Sequence, residues 1–168
     1  MKDRLLNRSV IDWDNETPTP EYFQELFRIS KNQIIWGGNY FDLSPTRCII
    51  CWDKLQPWDN FSQWEMAWTS FDKPAKMFRY SNTGGANSEK KIHPTQKPVK
   101  LYQFLLNEFA KEGDKIFDSH LGSMSIVLAC LSYDHLKLHI TGCENNTLHY
   151  QDGIKRVKQY ESQFKMSF

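Results

Sequence analysis

The sequence predicts an α/β fold with a mostly parallel sheet and helices on both of its faces, and three observations support this prediction. Short apolar runs typical of strands alternate with amphipathic segments of helical periodicity. A short loop containing Gly122 joins one of these strands to the next helix, and an acidic residue, Glu144, follows the strand after that helix. Alternation of this kind is typical of parallel strands joined by crossover helices.

Composition and charge restrict the class of protein. A length of 168 residues suggests a single domain, and a net charge of +1 means that any DNA-binding function must depend on local basic patches. The four cysteines lie in apolar runs, which indicates buried, reduced thiols in a cytoplasmic protein. We expect no signal peptide and no membrane span, because no apolar run approaches the roughly 20 residues that a span needs.

The first half of the chain is predicted to contain one helix followed by four strands. Thr17 or Thr19 serves as the helix N-cap and Pro20 fits the first turn, while Gly37 and Gly38 end the first strand. In chain order the predicted elements are a helix at 21–30 and strands at 33–36, 47–52, 66–71 and 76–80.

The second half is predicted to contain three helices and two strands. It is preceded by a surface loop at 82–91 that is rich in Gly, Asn, Ser and Lys. Gly113 is expected to be the C-cap of the first of these helices. In chain order the elements are a helix at 98–110, a strand at 115–118, a helix at 123–131, a strand at 136–141 and a terminal helix at 147–164.

The loop at 119–123 lies where ligands bind in open parallel sheets, beyond the carboxyl ends of the strands. Gly122 lets the backbone approach a ligand closely, with a helix N-terminus behind it. A carboxylate at the end of the next strand can accept hydrogen bonds from a ribose diol, and Glu144 lies at about the 20-residue spacing expected for that role. The residues alone leave two interpretations open: a nucleotide-type site, or a tight turn with Glu144 as a solvated carboxylate.

Longer motifs resemble the DNA methylase family that acts on exocyclic amino groups. The run His93-Pro-Thr-Gln-Lys-Pro98 is similar to the HPTxKP box of that family, and Asp118-Ser-His-Leu-Gly-Ser123 is similar to the loop that follows its cofactor strand. Upstream, Trp13-Asp14, residues 32–41 and Trp52-Asp53-Lys54 resemble a phage and prophage adenine-specific branch. The resemblance covers about residues 13–160. It implies a Rossmann-like methyltransferase fold in permuted order, with a target-facing catalytic half (13–80), a loop (81–92) and a cofactor half (93–164).

The resemblance also implies roles for individual residues. Asp118, with the loop that follows it, would face the methionine part of S-adenosylmethionine, and Glu144 would bind the ribose hydroxyls. The HPTQKP box would close the cofactor pocket from the opposite side. The complete expected cofactor set is His93, Thr95, Lys97, Asp118, Ser119, Gly122, Ser123, Ser125 and Glu144.

Two substitutions depart from the family pattern near the expected cofactor site. Met124 stands where the family has a second glycine, and its side chain is expected to narrow the room next to the cofactor. Asn145 and Asn146 replace the usual Ile-Asp, so that a second carboxylate near the adenine is lost.

The Asp-Pro-Pro-Tyr box of the family, which holds the target amine, does not occur in the 168 residues. We expect that the chain starts after this box and lacks the first catalytic strand. Neighbouring strands would then have unpaired edges, which favours a homodimer or aggregation, or a poor fit of residues 5–11 into the gap. The catalytic residues stay unknown, and the candidates are Asn39, Tyr40 and Asp53.

Other features of the sequence allow both functional and structural interpretations. Asp53 could contact a ligand or form a surface ion pair, and residues 37–40 could line a pocket or form a turn. Trp58, Phe61, Trp64 and Trp68 are expected mostly to pack in a core, although one could stack on an extruded base.

Basic side chains and possible metal ligands complete the search for site residues. His120 is interpreted as loop lining, and Cys48 with Cys51 as strand residues rather than a metal site. Lys73, Lys76, Arg79, Lys90 and Lys91 form the best candidate basic patch for DNA phosphates.

The leading function is transfer of a methyl group from S-adenosylmethionine to the exocyclic amine of adenine in DNA. The resemblance implies that this activity serves restriction–modification and that the protein is cytoplasmic, with a bacterial or phage-encoded gene. The alternative is an inactive remnant that binds the cofactor or DNA without turnover, which the missing Asp-Pro-Pro-Tyr box favours. A methyltransferase for a small molecule or a protein is a third hypothesis, and the HPTQKP box argues against it.

Overall fold

The computed structural model of the chain describes residues 17–81 and 90–165. These residues form two compact units, an N-terminal unit (17–81) and a C-terminal unit (90–165). The expectations for residues 5–11, for Trp13-Asp14 and for most of the loop at 82–91 lie outside the described residues. Within the described ranges, no helix combines the length and the apolar content that a membrane span requires.

The N-terminal unit is built on a four-stranded sheet with the strand order β1-β3-β2-β4. Strand β3 is antiparallel to both of its neighbours, whereas β2 and β4 are parallel. The elements are α1 (Pro20–Ile29), β1 (Ile34–Trp36), a 3-10 turn (Gly38–Tyr40), β2 (Ile49–Asp53), β3 (Trp64–Thr69) and β4 (Lys76–Arg79).

The expectation of a mostly parallel sheet is therefore only partly met, because two of the four strand pairings in the described residues are antiparallel. The physical reason is the connection between β2 and β3. Residues 54–63 contain no helix, and parallel strands need a crossover of about a dozen residues or more. The two strands consequently form a hairpin.

The core of this sheet lies around Trp52, which is 1% exposed. Its indole Nε1 donates a hydrogen bond to the carbonyl oxygen of Tyr80 at 3.0 Å. Ile50 and Ala67, which are opposite each other in β2 and β3, are fully buried. The hydroxyl of the buried Thr69 donates to the carbonyl of Cys48 at 2.8 Å, so that this polar side chain is satisfied inside the core.

The C-terminal unit contains a parallel pair of strands, β5 and β6, with the predicted alternation of helices and strands. Its core is formed by Leu106, Ile126, Ala129 and Cys130, which lie on the first two helices of the unit. The elements are α2 (Val99–Phe109), β5 (Lys115–Asp118), α3 (Ser125–Ser132), a 3-10 turn (Asp134–Leu136), β6 (His139–Gly142) and α4 (Thr147–Lys165).

Gly113 is not the C-cap of α2, contrary to the sequence expectation. The helix ends at Phe109, and its C-cap is Ala110 in an extended conformation. Gly113 has φ +79° and lies in the turn before β5, where its N–H donates to the carbonyl of Leu136 at 2.8 Å. The left-handed conformation that suits glycine is therefore used to enter a strand and not to end a helix.

Candidate functional site

The loop between β5 and α3, residues 119–124, lies against the segment that follows β6. The N–H of Cys143 donates to the carbonyl of Asp118, and the N–H of Leu121 donates to the carbonyl of Cys143, both at 2.9 Å. Gly142 at the end of β6 fits only because it has no side chain, since a Cβ there would lie 2.6 Å from the Leu121 side chain. These contacts hold the loop against the end of β6, so that the two segments form one continuous surface.

Glu144 connects the two sides of this surface through its carboxylate. Its Oε2 accepts a hydrogen bond from the N–H of Gly122 at 2.8 Å, and its Oε1 accepts one from the N–H of Asn146 at 2.9 Å. Each carboxylate oxygen has two acceptor positions, so that both oxygens retain capacity for a ligand hydroxyl. Glu144 is therefore not the solvated loop carboxylate of the alternative interpretation.

Asp118 provides a second carboxylate at the start of the loop. Its Oδ1 accepts from the N–H of His120 at 2.9 Å. Burial raises the pKa of Asp118, while the hydrogen bond and the charges of His120 and Lys97 partly oppose this shift. A desolvated carboxylate is stabilised by a ligand that brings positive charge.

The HPTQKP segment reaches the same loop through the ring of His93. Gly122 has φ +47°, and a Cβ at this position would lie 3.6 Å from three atoms of that ring. The His93 side chain is 8% exposed, and its Nδ1 lies 3.3 Å from the N–H and 3.2 Å from the hydroxyl of Thr95. The structure thus brings His93, Gly122 and Glu144 together within the C-terminal unit.

His93 also contacts a residue that the sequence did not indicate, His149 in the first turns of α4. The two imidazole rings meet edge to face with centroids 4.3 Å apart. Burial lowers the pKa of His93, the charges of His149 and Lys97 lower it further, and Glu144 acts in the opposite direction. The neutral form of His93 is consequently favoured in the folded chain.

Met124, which the sequence analysis expected to narrow the room next to the cofactor, has its side chain buried against α4 in the structure. Met124 is 2% exposed and has φ +58°, a left-handed conformation that turns its side chain onto α4. There it packs against Gly153, where a Cβ would lie only 2.8 Å from Cγ and 2.9 Å from Sδ of the methionine. The loop has Met124 where the family pattern has a glycine, and Gly153 on α4 leaves the space that the methionine side chain occupies.

Arg156 on α4 holds the next part of the loop. Its Nη1 donates to the carbonyl of Ser123 at 2.7 Å and lies 2.9 Å from the hydroxyl of Ser125. The two serine hydroxyls are buried and 3.0 Å apart. Ser123 and Ser125, two of the three predicted serines, are therefore engaged in supporting the loop.

Asn146, which stands where the family pattern has Asp, has a structural role that the sequence analysis did not suggest. Its Oδ1 accepts from the N–H groups of Leu148 and His149, at 3.0 and 3.2 Å. This is the geometry of a helix N-cap, for which Asn is among the best residues. Asn146 therefore caps the start of α4, a role that an aspartate could also perform.

The local signal that could have identified the α4 residues is their spacing. His149, Gly153 and Arg156 are separated by four and three residues, which places them on one face of a helix. A glycine inside an amphipathic helix, between His and Arg on the same face, indicates close approach of another segment.

The candidates in the N-terminal unit lie at the ends of β1 and β2. Asn39 and Tyr40 belong to the 3-10 turn after β1, and Tyr40 is 75% exposed. Asp53 forms an ion pair with Arg79 at 3.4 Å and also accepts from the N–H of Leu55. Asp53 was interpreted either as a ligand contact or as part of a surface ion pair. The structure shows the ion pair.

The expectation that most of the hairpin aromatics pack in a core is wrong, because three of the four lie largely at the surface. Trp58, Phe61 and Trp64 are each 52% exposed; the first two lie on the loop that joins β2 and β3, and Trp64 is the first residue of β3. Gln56 is buried within the loop; its Nε2 donates to the carbonyl of Phe61 at 2.6 Å and its Oε1 accepts from the N–H of Trp58 at 3.0 Å. A polar residue thus orders the loop and the aromatic rings face outward.

The five basic residues of the candidate DNA patch are divided between the units. Lys73, Lys76 and Arg79 lie in the N-terminal unit, whereas Lys90 and Lys91 lie in the C-terminal unit. Arg79 is paired with Asp53. The structure therefore places three of these cations on one body and two on the other.

Comparisons with known proteins identify the family of the chain and its fold. Residues 6–155 match the profile of a family described as DNA methylase, of the N6 and N4 amino-methylases. The type II methyltransferase M.HpaI of Haemophilus parainfluenzae is 33% identical over 57 residues, which are 34% of this chain and 18% of that protein. The chain thus matches less than a fifth of the length of this relative.

Among solved structures, the crystal structure of the M1.HpyAVI–SAM complex is similar to this chain. The TM-score is 0.52 at 20% identity, and the match covers 82% of this chain and 68% of that one. This similarity confirms the expected α/β methyltransferase fold.

Proposed function

The chain belongs to the DNA methylase family, and we propose that it binds S-adenosylmethionine and serves in methylation of the exocyclic amine of adenine in DNA. The observation that carries this proposal is the meeting of His93, Gly122 and Glu144 around one loop at the carboxyl ends of β5 and β6. Ligands of open α/β sheets bind at that position. The choice of adenine N6 over cytosine N4 follows the motifs at 32–41 and 52–54.

The residues present fit S-adenosylmethionine in their chemistry. Glu144 offers acceptors for the ribose diol, and Gly122 has no side chain where the backbone would approach the ligand. Asp118 is a desolvated carboxyl group suited to the positive charge of the sulfonium and ammonium groups. His93, Thr95 and Lys97 would supply donors from the opposite side, as the family pattern implies.

The cofactor, when bound, supplies an electrophilic methyl group on its sulfonium. The role of this chain is then to hold that group in line with the incoming nitrogen and to exclude water. A neutral amine needs no strong base, because it loses its proton after it has become cationic, so that positioning contributes most of the rate. Glu144 and the loop would orient the ribose, and the closely packed His93 would keep solvent from that side.

The target side of the reaction is proposed to involve the N-terminal unit. Enzymes that modify a base in duplex DNA must extrude it from the stack and bind it between apolar or aromatic groups. The exposed rings of Trp58 and Phe61, on a loop ordered by Gln56, and of Trp64 at the start of β3 offer surfaces for such stacking. Lys73 and Lys76 are the proposed phosphate contacts of this unit.

A second candidate function is binding of the cofactor without turnover. It is favoured by one structural observation, the ion pair that already engages one of the three catalytic candidates. Asn39, Tyr40 and Asp53 are the remaining candidates for contact with the target amine, and Asp53 is already paired with Arg79. The two functions differ only in whether methyl transfer follows binding.

The chain is also proposed to associate with a second copy of itself. Within the described residues, β5 pairs only with β6, and β1 pairs only with β3, so that each has an edge that another strand could join. We propose that the chain forms homodimers in the cytoplasm. Light scattering that finds a monomer at micromolar concentration would contradict this.

The test of the function measures binding and transfer separately. Calorimetry with S-adenosylmethionine should show binding, and Glu144→Gln should weaken it by about tenfold or more, since one acceptor oxygen is replaced by a donor. Glu161→Gln, an exposed change on α4, is the matched control. The loss of binding in both variants would contradict the role of Glu144.

Methyl transfer is then measured with methyl-labelled cofactor and unmethylated duplex DNA. Label in adenine supports the leading function, label in cytosine corrects the target base, and binding without label supports the second candidate. A wild-type chain that neither binds the cofactor nor transfers the methyl group would refute both.

A further inference from the structure

The loop at 119–124 has a conformation that requires support from outside. Two of its residues, Gly122 and Met124, have positive φ values of +47° and +58°. The first is a glycine and adopts this conformation easily, but the second is not, and a side chain in the left-handed region is unfavourable. The peptide of Ser123 lies between these two residues, so that its orientation determines how the loop meets its neighbours.

That support comes from one face of α4. Arg156 donates to the carbonyl of Ser123 at 2.7 Å, and Gly153 leaves the space that the Met124 side chain fills. One turn earlier, His149 contacts the ring of His93, which itself lies over Gly122. Three successive positions of the same helix face therefore touch three parts of the candidate site.

We propose that this face of α4 positions the cofactor loop, with Arg156 as the positioning residue. The inference rests on the proposed function, because it assigns the loop to S-adenosylmethionine. The guanidinium bond holds the peptide between Ser123 and Met124, and two peptide units earlier in the same short loop the Gly122 N–H donates to Glu144 at 2.8 Å. Without that bond the loop would lose the geometry that joins Gly122 to both Glu144 and His93.

Arg156 suits this role because one of its nitrogens serves two acceptors. Nη1 contacts both the Ser123 carbonyl and the Ser125 hydroxyl, which lie at the end of the loop and the start of α3. Bonds from a charged donor to partly buried acceptors are stronger than bonds between neutral groups. Glu144 lies three residues before the start of α4, so that this helix is connected both to Glu144 and, through Arg156, to the 119–124 loop.

The test uses the full chain with three variants, Arg156→Gln, Arg156→Lys and the control Lys158→Gln, which changes an exposed α4 residue. Calorimetry with S-adenosylmethionine should show binding weakened on the order of tenfold in Arg156→Gln. Arg156→Lys, which retains a charged donor, should restore part of the affinity, and Lys158→Gln should bind like the wild type. Unchanged affinity in Arg156→Gln would overturn the proposal.

Hydrogen exchange of the ligand-free protein provides the second readout. Faster exchange of the 119–126 amides in Arg156→Gln, with the rest of the C-terminal unit unchanged, supports positioning. Uniformly faster exchange across the unit shows a general structural role and overturns the proposal. If Arg156→Gln does not fold, Arg156→Lys carries both measurements. A wild-type chain that does not bind the cofactor refutes the proposed function, while the exchange data still decide the role of Arg156.

Discussion

Substitution of Gly153 by alanine tests the packing of Met124 on α4 without reference to any ligand. In the interior of a helix, alanine is favoured over glycine by about 1 kcal/mol. At this position the new Cβ would lie 2.8 Å from Cγ, 2.9 Å from Sδ and 3.0 Å from Cε of Met124. Contacts this short fall well below the usual separation of carbon atoms, and overpacking costs about 1–3 kcal/mol. We therefore expect Gly153→Ala to lower the free energy of unfolding, or at best to leave it unchanged.

The sign of the effect should reverse when Met124 is glycine. Met124→Gly removes the three methionine atoms that the new Cβ would contact. It also removes the strain of a non-glycine residue at φ +58°. In that background Gly153→Ala should stabilise by about 1 kcal/mol through helix propensity alone. The coupling energy of the double-mutant cycle, measured by urea unfolding, should then be about 1–3 kcal/mol. An equal gain from alanine in both backgrounds would refute the packing described here.

Three further predictions concern protonation, thiol reactivity and the core. Because the folded chain lowers the pKa of His93, the unfolded chain binds this proton more readily, so that the thermal midpoint should fall as pH drops through about 6.5. His93→Asn should reduce that dependence, and an unchanged pH profile would count against it. Burial raises the pKa of Cys130 to about 11, so that alkylation at pH 8 should be slow there and fast at the exposed Cys143, as read by mass spectrometry. Trp52→Phe should lower the unfolding free energy by about 1–3 kcal/mol, because the Tyr80 carbonyl loses its indole donor; a change below about 0.5 kcal/mol would contradict this.

Elements that depend on local pattern were predicted well from the sequence. Helix α2 and strand β5 lie within one residue of the predicted ranges, because apolar periodicity and the Pro98 boundary are local properties. The antiparallel direction of β3 was missed, since strand direction depends on the connection as well as on the strand itself. The connection at 54–63 has only ten residues, which is too few for a crossover between parallel strands. Its length was therefore the signal in the sequence for an antiparallel pair.

The candidate site was predicted in part for the same reason. The loop with Gly122 and the carboxylate of Glu144 follow from spacing along the chain. His149 and Arg156 were missed because their partners lie far away in sequence, 33 residues in the case of Arg156 and Ser123. The shared face of His149 and Arg156 on α4 can be assigned a contact only when the segment that packs against it is known.

The sequence by itself determined the family, the order of the cofactor motifs and the existence of a loop and carboxylate at the ends of two strands. Only the tertiary structure decided that Glu144 holds the N–H of Gly122 and that Met124 turns away onto Gly153. The physical reason is that a motif specifies residue types and spacing. The direction of a side chain depends on its backbone angles and on the space that a distant segment leaves for it.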